Sequence, residues 1–283
     1  MKIFDEKFSG ATEVLSVMNM RNSDKMTIDG GVSGRELMRR AGQCIFDSFD
    51  WRGDVLIACG SGNNAGDGYV LAALLTKTKA RPHILLLEER FSADGRFYFD
   101  ECMKLGVPCS IYGGGEIKAD IIADCIFGTG FHGSAQGKAA EMINAINASG
   151  ATVVSIDINS GINGDSGEGD IAVRSDLTVS IGSFQPGHFI GRAGELIGKA
   201  VNCDIGIKPK DQPFELYKAP CDKLKNELSA AISNGELKLT ENDDLPPASA
   251  AVTAAKELNA PVYLESGDYF ILSDGEKVKF IHK

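Results

Sequence analysis

A doubly wound α/β fold, with a mostly parallel sheet and helices on both faces, is what three features of this 283-residue sequence predict. From Asp54 onward, short apolar runs alternate with stretches of helical periodicity, the pattern of repeated β-α-β units. The first run, residues 55–59, empties into Gly60-Ser61-Gly62-Asn63-Asn64-Ala65-Gly66-Asp67-Gly68, a turn of small and polar residues that opens a helix. Two later runs end in loops of similar composition, and an open parallel sheet gathers its ligands outside the carboxyl ends of its strands. With 43% hydrophobic and 24% charged residues, the chain can bury one large core, or one plus a small appendage.

Taken in order, residues 11–21 (Val14, Leu15, Val17, Met18) and 33–49 (Leu37, Met38, Ile45, Phe46) have the cast of amphipathic helices. Asp29-Gly30-Gly31 turns the chain between them, and Ser33 with Glu36 has the spacing of a capping box. Strands follow at 55–59, 83–87, 107–112, 121–127 and 152–156, with helices at 65–76, 93–105 and 138–148. Residues 176–181 and 199–205 add two more strands. After Lys208-Pro209 the alternation stops, which divides the chain into 1–208 and a small α+β appendage, 209–283. The appendage carries an alanine-rich helix at 248–258, a strand at 262–265, and a hairpin of 269–272 with 278–281 across Asp274-Gly275.

The net charge of -10 argues against broad electrostatic binding to nucleic acid or an anionic membrane. No apolar run approaches the roughly 20 residues that cross a bilayer, and no leader-like segment follows Met1, so a cytoplasmic protein is expected. Seven cysteines without a C-x-x-C pair point to reduced thiols, with Cys59, Cys125 and Cys203 packed in the core.

Gly60, Gly62 and Ala65 satisfy a dinucleotide-binding fingerprint, and Glu88 and Glu89 fall where a ribose-binding acid is expected. A phosphate would sit on the helix N-terminus. Asn63, Asn64 and Asp67 exceed that need: their oxygens either bind a cation or polar ligand, or cap the helix. In the second loop, Asp124-Cys125-Ile126-Phe127-Gly128-Thr129-Gly130-Phe131-His132-Gly133, an acid lies inside the strand. The third is Ile156-Asp157-Ile158-Asn159-Ser160-Gly161. A buried carboxylate needs a partner, and Asp124, Asn64 and Ser160 offer oxygen without sulfur or imidazole, which suits a shared monovalent cation. The plainer alternatives are a backbone turn for Asp124 and capping for Ser160.

Together the three loops resemble the YjeF N-terminal family, the NAD(P)H-hydrate epimerases, marked by Gly-Asn-Asn-Gly-Gly-Asp-Gly, Asp-x-x-Phe-Gly-Thr-Gly and Ile-Asp-Ile-Pro-Ser-Gly loops. Leu37-Met38-Arg39-Arg40-Ala41-Gly42 and Asp204-Ile205-Gly206-Ile207 extend the likeness over most of residues 10–208. The resemblance implies a Rossmann-like isomerase of metabolite repair. Such an enzyme interconverts the R and S forms of NADH and NADPH hydrated at C6, for a separate dehydratase. It implies substrate contacts at Asn63, Asn64, Ala65, Gly66 and Asp67, at Gly128, Thr129, Gly130, Phe131, His132, Gly133 and Ser134, and at Asp157. It places potassium on Asn64, Asp124 and Ser160.

Inverting a carbinolamine-like centre needs proton transfer and charge stabilisation but no electron acceptor, which makes Asp157 the candidate acid/base. The alternative is a structural Asp157 accepting backbone N–H bonds. His83, His188 and His282 lack metal-ligand spacing, and Gln185-Pro186-Gly187-His188 reads as a turn. Two departures from the family pattern stand out: Ala65 replaces a glycine, putting a methyl near the ligand path, and Asn159 replaces a proline, which is expected to loosen the cation site. The appendage resembles a fragment of the dehydratase domain fused to many relatives, too short for that activity, and is expected to pack on the main domain or on a second copy of the chain. Two other functions compete with epimerisation. One is an NAD(P)-dependent oxidoreductase, for which no Tyr-x-x-x-Lys pair is evident; the other is a non-catalytic nucleotide-binding scaffold, as in the RNA-decay assembly proteins that carry this domain.

Overall fold

Ser16 and Ser33 set the first two long helices, and the chain reaches them through a strand. The computed structural model describes residues 2–5, 8–211, 213–241 and 245–283. It begins with α1 (Lys2–Asp5), β1 (Thr12–Val14), α2 (Val17–Asp29) and α3 (Gly34–Asp47). The Ser16 and Ser33 hydroxyls accept the N–H groups of Asn19 and Glu36, at 3.1 and 3.2 Å, which satisfies a donor that the first helical turn leaves open. The single helix expected over 11–21 is therefore a strand followed by the first turn of α2. Only half of the expected capping box forms, because the Glu36 carboxylate is taken by Arg39 and Arg40 at 2.8 and 2.9 Å.

The alternation that follows is the one the sequence predicts: β2 (Asp54–Cys59), α4 (Asn63–Leu75), β3 (Arg81–Leu86), α5 (Ala93–Lys104), β4 (Cys109–Ile111), β5 (Ile121–Cys125), α6 (Gly137–Ala148), β6 (Thr152–Ile156) and β7 (Ser175–Ile181). A 3-10 turn (Pro186–His188), α7 (Ala193–Leu196) and β8 (Ile197–Cys203) complete it. All pairings are parallel, in the order β4-β3-β2-β5-β6-β7-β8. The chain builds outward from β2 to one edge and then returns beside β2 with β5, so the β2/β5 boundary is the switch point where a ligand crevice opens. Strand residues divide between two cores. Ile57, Cys59, Ala123 and Cys125 pack with residues of α3, α4 and α5, whereas Ala58 and Ile122 meet Met142, Ile143 and Ile146 of α6.

Cys44 of α3 and Cys203 of β8 form a disulfide, with their Cα atoms 5.9 Å apart, which corrects the expectation of reduced thiols for this pair. Cys59, Cys102 and Cys125 are buried thiols.

A second sheet is built from both ends of the chain. Its other elements are β9 (Phe214–Tyr217), α8 (Asp222–Ser233), β10 (Lys238–Leu239), α9 (Pro247–Leu258), β11 (Val262–Ser266), β12 (Tyr269–Ser273) and β13 (Val278–His282), in the order β1-β9-β13-β12-β11-β10. The hairpin of β12 and β13 and the helix α9 lie where the sequence places them. The pairing of β1 with β9, antiparallel with Val14 opposite Phe214, joins segments from opposite ends of the chain. Ala250, Ala251 and Ala255 of α9 pack on Leu264, Ile271 and Phe280, and Leu224 and Leu228 of α8 pack with Ile3 and Phe4 against Tyr217 and Ile281. The α9 side also takes in Ile190, Phe184 and Phe189, so the loop between β7 and β8 enters the core of the second sheet. Among the described residues no helix is long and apolar enough to cross a membrane.

Candidate functional site

The loops after β2 and β5 are pressed together, and a cleft opens over them. A Cβ on Gly60 would collide with the Ile126 carbonyl oxygen, so glycine is required where the two strands end side by side. The cleft holds about 800 Å³. Its floor is Ser61, Gly62, Asn63, Asn64 and Asp67 from the first loop, residues 127–132 from the second, and Asp157 from the third. Arg21, Asp24 and Ile28 of α2 and Leu37, Met38 and Ala41 of α3 form the facing wall.

Beneath the floor lies an oxygen cluster. Asp124 is fully buried and accepts four hydrogen bonds: from the Ser160 hydroxyl at 2.5 Å, the Ser160 N–H at 2.9 Å, the Ser155 hydroxyl at 2.8 Å and the Ile126 N–H at 3.3 Å. Burial pushes its carboxyl pKa up, and the Ser160, Ser155 and Ile126 bonds oppose that. The Asn64 amide donates to the carbonyls of Phe127 at 2.8 Å and Ile156 at 3.0 Å, which fixes its orientation and leaves Oδ1 buried without a donor. An orphaned amide oxygen, a carboxylate and a serine hydroxyl gathered around the Phe127 backbone are a donor set that fits a hard monovalent cation. The three residues that the resemblance assigned to potassium thus meet in one place: Ser160 bonds Asp124 directly and, like Asn64, contacts the Phe127 backbone.

Above them, three acids share the cleft. The Asp157 Oδ2 accepts the Thr129 N–H at 2.7 Å and the Thr129 hydroxyl at 3.1 Å. Burial raises its pKa, and the Thr129 bonds oppose the rise. Asp24 is pushed up to about 6 by burial and then by the charge of Asp157. Asp67 is raised well above its ordinary value by burial, then by Asp157 and Asp24. Like charges crowded in one crevice retain a proton that isolated carboxylates would have lost, and pairs of this kind divide acid and base roles.

The expected contacts do not all reach the cleft. Asn63, Asn64, Asp67, Gly128, Thr129, Gly130, Phe131, His132 and Asp157 line it. Ala65 is 1% exposed and packs in the core with α3 and α5 residues, so its methyl turns away from the ligand path. Gly66 lies against Met38, Gly133 holds a left-handed turn at φ 81°, and Ser134 donates to Asp170 at 2.6 Å. Glu88 and Glu89 are exposed beyond β3 and are not among the lining residues. Asn159 is fully buried, with its amide nitrogen 2.9 Å from both the Val173 and Leu196 carbonyls and 3.0 Å from the Ser175 hydroxyl. These bonds pin the third loop to β7 and α7, where the missing proline was expected to leave it loose. Asp24 is the cleft acid that the sequence reading passed over. The signal was an acid four residues from both Met20 and Ile28, on the face of α2 that those side chains turn toward the cleft.

A doubly wound domain with an acidic, oxygen-rich crevice at its switch point belongs to the open-sheet α/β class, whose ligand crevices lie at that place in the fold. Within that class, the family described as "YjeF-related protein N-terminus" matches residues 34–187, and the chain belongs to that family. It is 34% identical over 213 residues to the bifunctional NAD(P)H-hydrate repair enzyme Nnr of Archaeoglobus fulgidus, an overlap of 74% of this chain and 44% of that protein. With the Nnr enzyme of Moorella thermoacetica the figures are 32% over 253 residues, 82% of this chain and 48% of the relative. The NAD(P)H-hydrate epimerase of Rhodopirellula baltica is 29% identical over 216 residues, 72% of this chain and 86% of that one. The chain therefore spans less than half the length of the bifunctional relatives it matches. The crystal structure of yeast ynu0 shares the fold at a TM-score of 0.57 and 20% identity, over 72% of this chain and 99% of that one.

Proposed function

We propose that the chain is an NAD(P)H-hydrate epimerase, an isomerase that interconverts the R and S forms of hydrated NADH and NADPH. The observation that carries this reading is the Asp157 carboxylate, anchored on Thr129 in the cleft and sharing it with Asp24 and Asp67. Nothing in the reaction needs an electron acceptor. The ring nitrogen's lone pair forms C=N⁺ as the C6–O bond breaks, and the departing oxygen leaves as water after taking a proton from a cleft acid. Water then adds to the opposite face of the planar cation and returns a proton to that carboxylate. Asp157 stabilises the cation and serves as the acid/base, and a neighbouring acid with a raised pKa holds a proton close to neutral pH. The names of the relatives support this substrate class.

Under the same proposal Asn64, Asp124 and Ser160 hold a potassium ion, whose positive charge orders the loops and favours anionic groups close by. The support is the donorless Asn64 oxygen. Potassium then raises the thermal midpoint of the unaltered chain but not of Asn64→Leu, and equal shifts in both would end this assignment. A separate S-specific dehydratase is the proposed functional partner.

The test mixes the purified protein with R-hydrate and such a dehydratase, then follows the recovery of reduced cofactor by near-ultraviolet absorbance. Acceleration is expected, and Asp157→Asn should reduce it by roughly 10²- to 10⁴-fold while nucleotide binding persists. A rate no faster than the spontaneous one would favour the non-catalytic scaffold.

A further inference from the structure

Asp157 is one of two residues other than glycine with positive φ among those described, at 66°. The Ile158 N–H donates to the Ile156 carbonyl at 2.9 Å, closing a three-residue turn with Asp157 at its apex. Such a backbone is strained for a residue with a side chain and persists only where its surroundings enforce it. One restraint is the Asp157 N–H, which donates to Val179 at 2.8 Å. The other is His188, 3% exposed, whose Nε2 lies 2.7 Å from the Asp157 carbonyl oxygen. Its Nδ1 lies 3.1 Å from the Gln185 backbone nitrogen and 3.2 Å from the Gln185 carbonyl oxygen. The Asp157 carbonyl only accepts, so Nε2 carries a proton, and burial, which lowers the ring's pKa, favours the neutral form in which Nδ1 takes the Gln185 N–H. The ring is itself wedged. Phe184 meets it edge-on with ring centres 5.5 Å apart, and Phe184, Phe189 and Ile190 enter the core of the second sheet beside Val14 and Leu216. The Leu15 N–H, next to β1, donates to the Phe184 carbonyl at 2.8 Å.

We propose that His188 is a positioning residue: its Nε2–H holds the Asp157 carbonyl and so aims the Asp157 carboxylate into the cleft, and the second sheet holds His188 in place. The appended sheet then has a task at the site, that of a buttress. The kinetic part of this inference rests on the epimerase reading; the spectroscopic part does not.

The unaltered full chain, labelled with nitrogen-15 in histidine, is expected to show His188 at pH 7 as the neutral ring protonated on Nε2. A charged ring, or protonation on Nδ1, overturns the proposal. His188→Leu removes the donor, and His188→Gln keeps an N–H at a similar reach. The leucine variant should lose about 10- to 100-fold in kcat with KM little changed, and the glutamine variant should recover most of the loss. Amide exchange at Ile158 should accelerate in the leucine variant alone. Unchanged kcat in His188→Leu, or equal impairment in both variants, overturns the proposal. If the unaltered chain shows no epimerisation, the epimerase reading fails, and the ring spectrum with Ile158 exchange decides for His188. If His188→Leu does not fold, the ring spectrum and the kcat of His188→Gln decide.

Discussion

Asp24 shows at the level of a single residue why this site is only partly legible in the chain. Asp157 and Asp67 announce themselves because glycine-rich turns follow strands beside them, whereas Asp24 sits mid-helix and gains meaning only when α2 folds across the cleft. Its pKa rises from an ordinary 3.8 to about 6, first through burial and then through the charge of Asp157. An acid raised by folding holds more protons in the folded state between those two values, so its contribution to stability is present below pH 3.8 and is lost as the pH climbs through 6. The expected outcome is that Asp24→Asn raises the thermal midpoint more at pH 8 than at pH 5, because at pH 8 it removes a charge that the fold resists. If Asp24 is the acid that protonates the leaving oxygen, the same variant also flattens the limb of the kcat profile near pH 6. Equal midpoint gains at both pH values would remove Asp24 from the group of coupled acids.

The elements divide by how local their causes are. The strands of the parallel sheet were readable to within a few residues because runs such as Val55-Leu56-Ile57 are buried on both faces and can be little else. β1 was not, because what makes Thr12–Val14 a strand is Phe214–Tyr217, and periodicity within a short window carries no trace of that partner. The fingerprint turn between β2 and α4 holds two glycines with different duties, one structural and one open to the ligand. Gly60 has no space for a Cβ beneath the Ile126 carbonyl, whereas Gly62 has nothing within 4 Å of where its Cβ would lie and faces the cleft. Gly60→Val should therefore destabilise the chain by about 1–3 kcal/mol in urea denaturation, by forcing the β2 and β5 ends apart. Gly62→Ala should leave the midpoint nearly unchanged and raise KM instead. Similar stability losses in the two variants would mean that the turn is a packing device rather than a ligand contact.

On the scale of the whole molecule, residues far apart in sequence decide how firmly the cleft is framed. Leu37, Met38 and Ala41 of α3 form one wall, and Ile205, just past β8, also lines the cleft. The Cys44–Cys203 disulfide ties the same helix to the same edge strand across 159 residues of sequence. Nothing in the spacing of seven cysteines selects this pair; it exists because β8 closes the sheet edge beneath α3. A cross-link closing so long a loop restricts the unfolded chain, and its loss is expected to cost about 2–4 kcal/mol. Denaturation with and without a thiol reductant reads this directly. The midpoint should fall on reduction in the unaltered chain and stay fixed in Cys44→Ser/Cys203→Ser. Because the bond spans two parts of the cleft wall, reduction should also raise KM more than it lowers kcat, since Asp157 is held separately by Val179, Thr129 and His188. A midpoint indifferent to reductant would show that α3 is held on the sheet by packing alone, with the two sulfurs as neighbours in the core, as the sequence first suggested for Cys203.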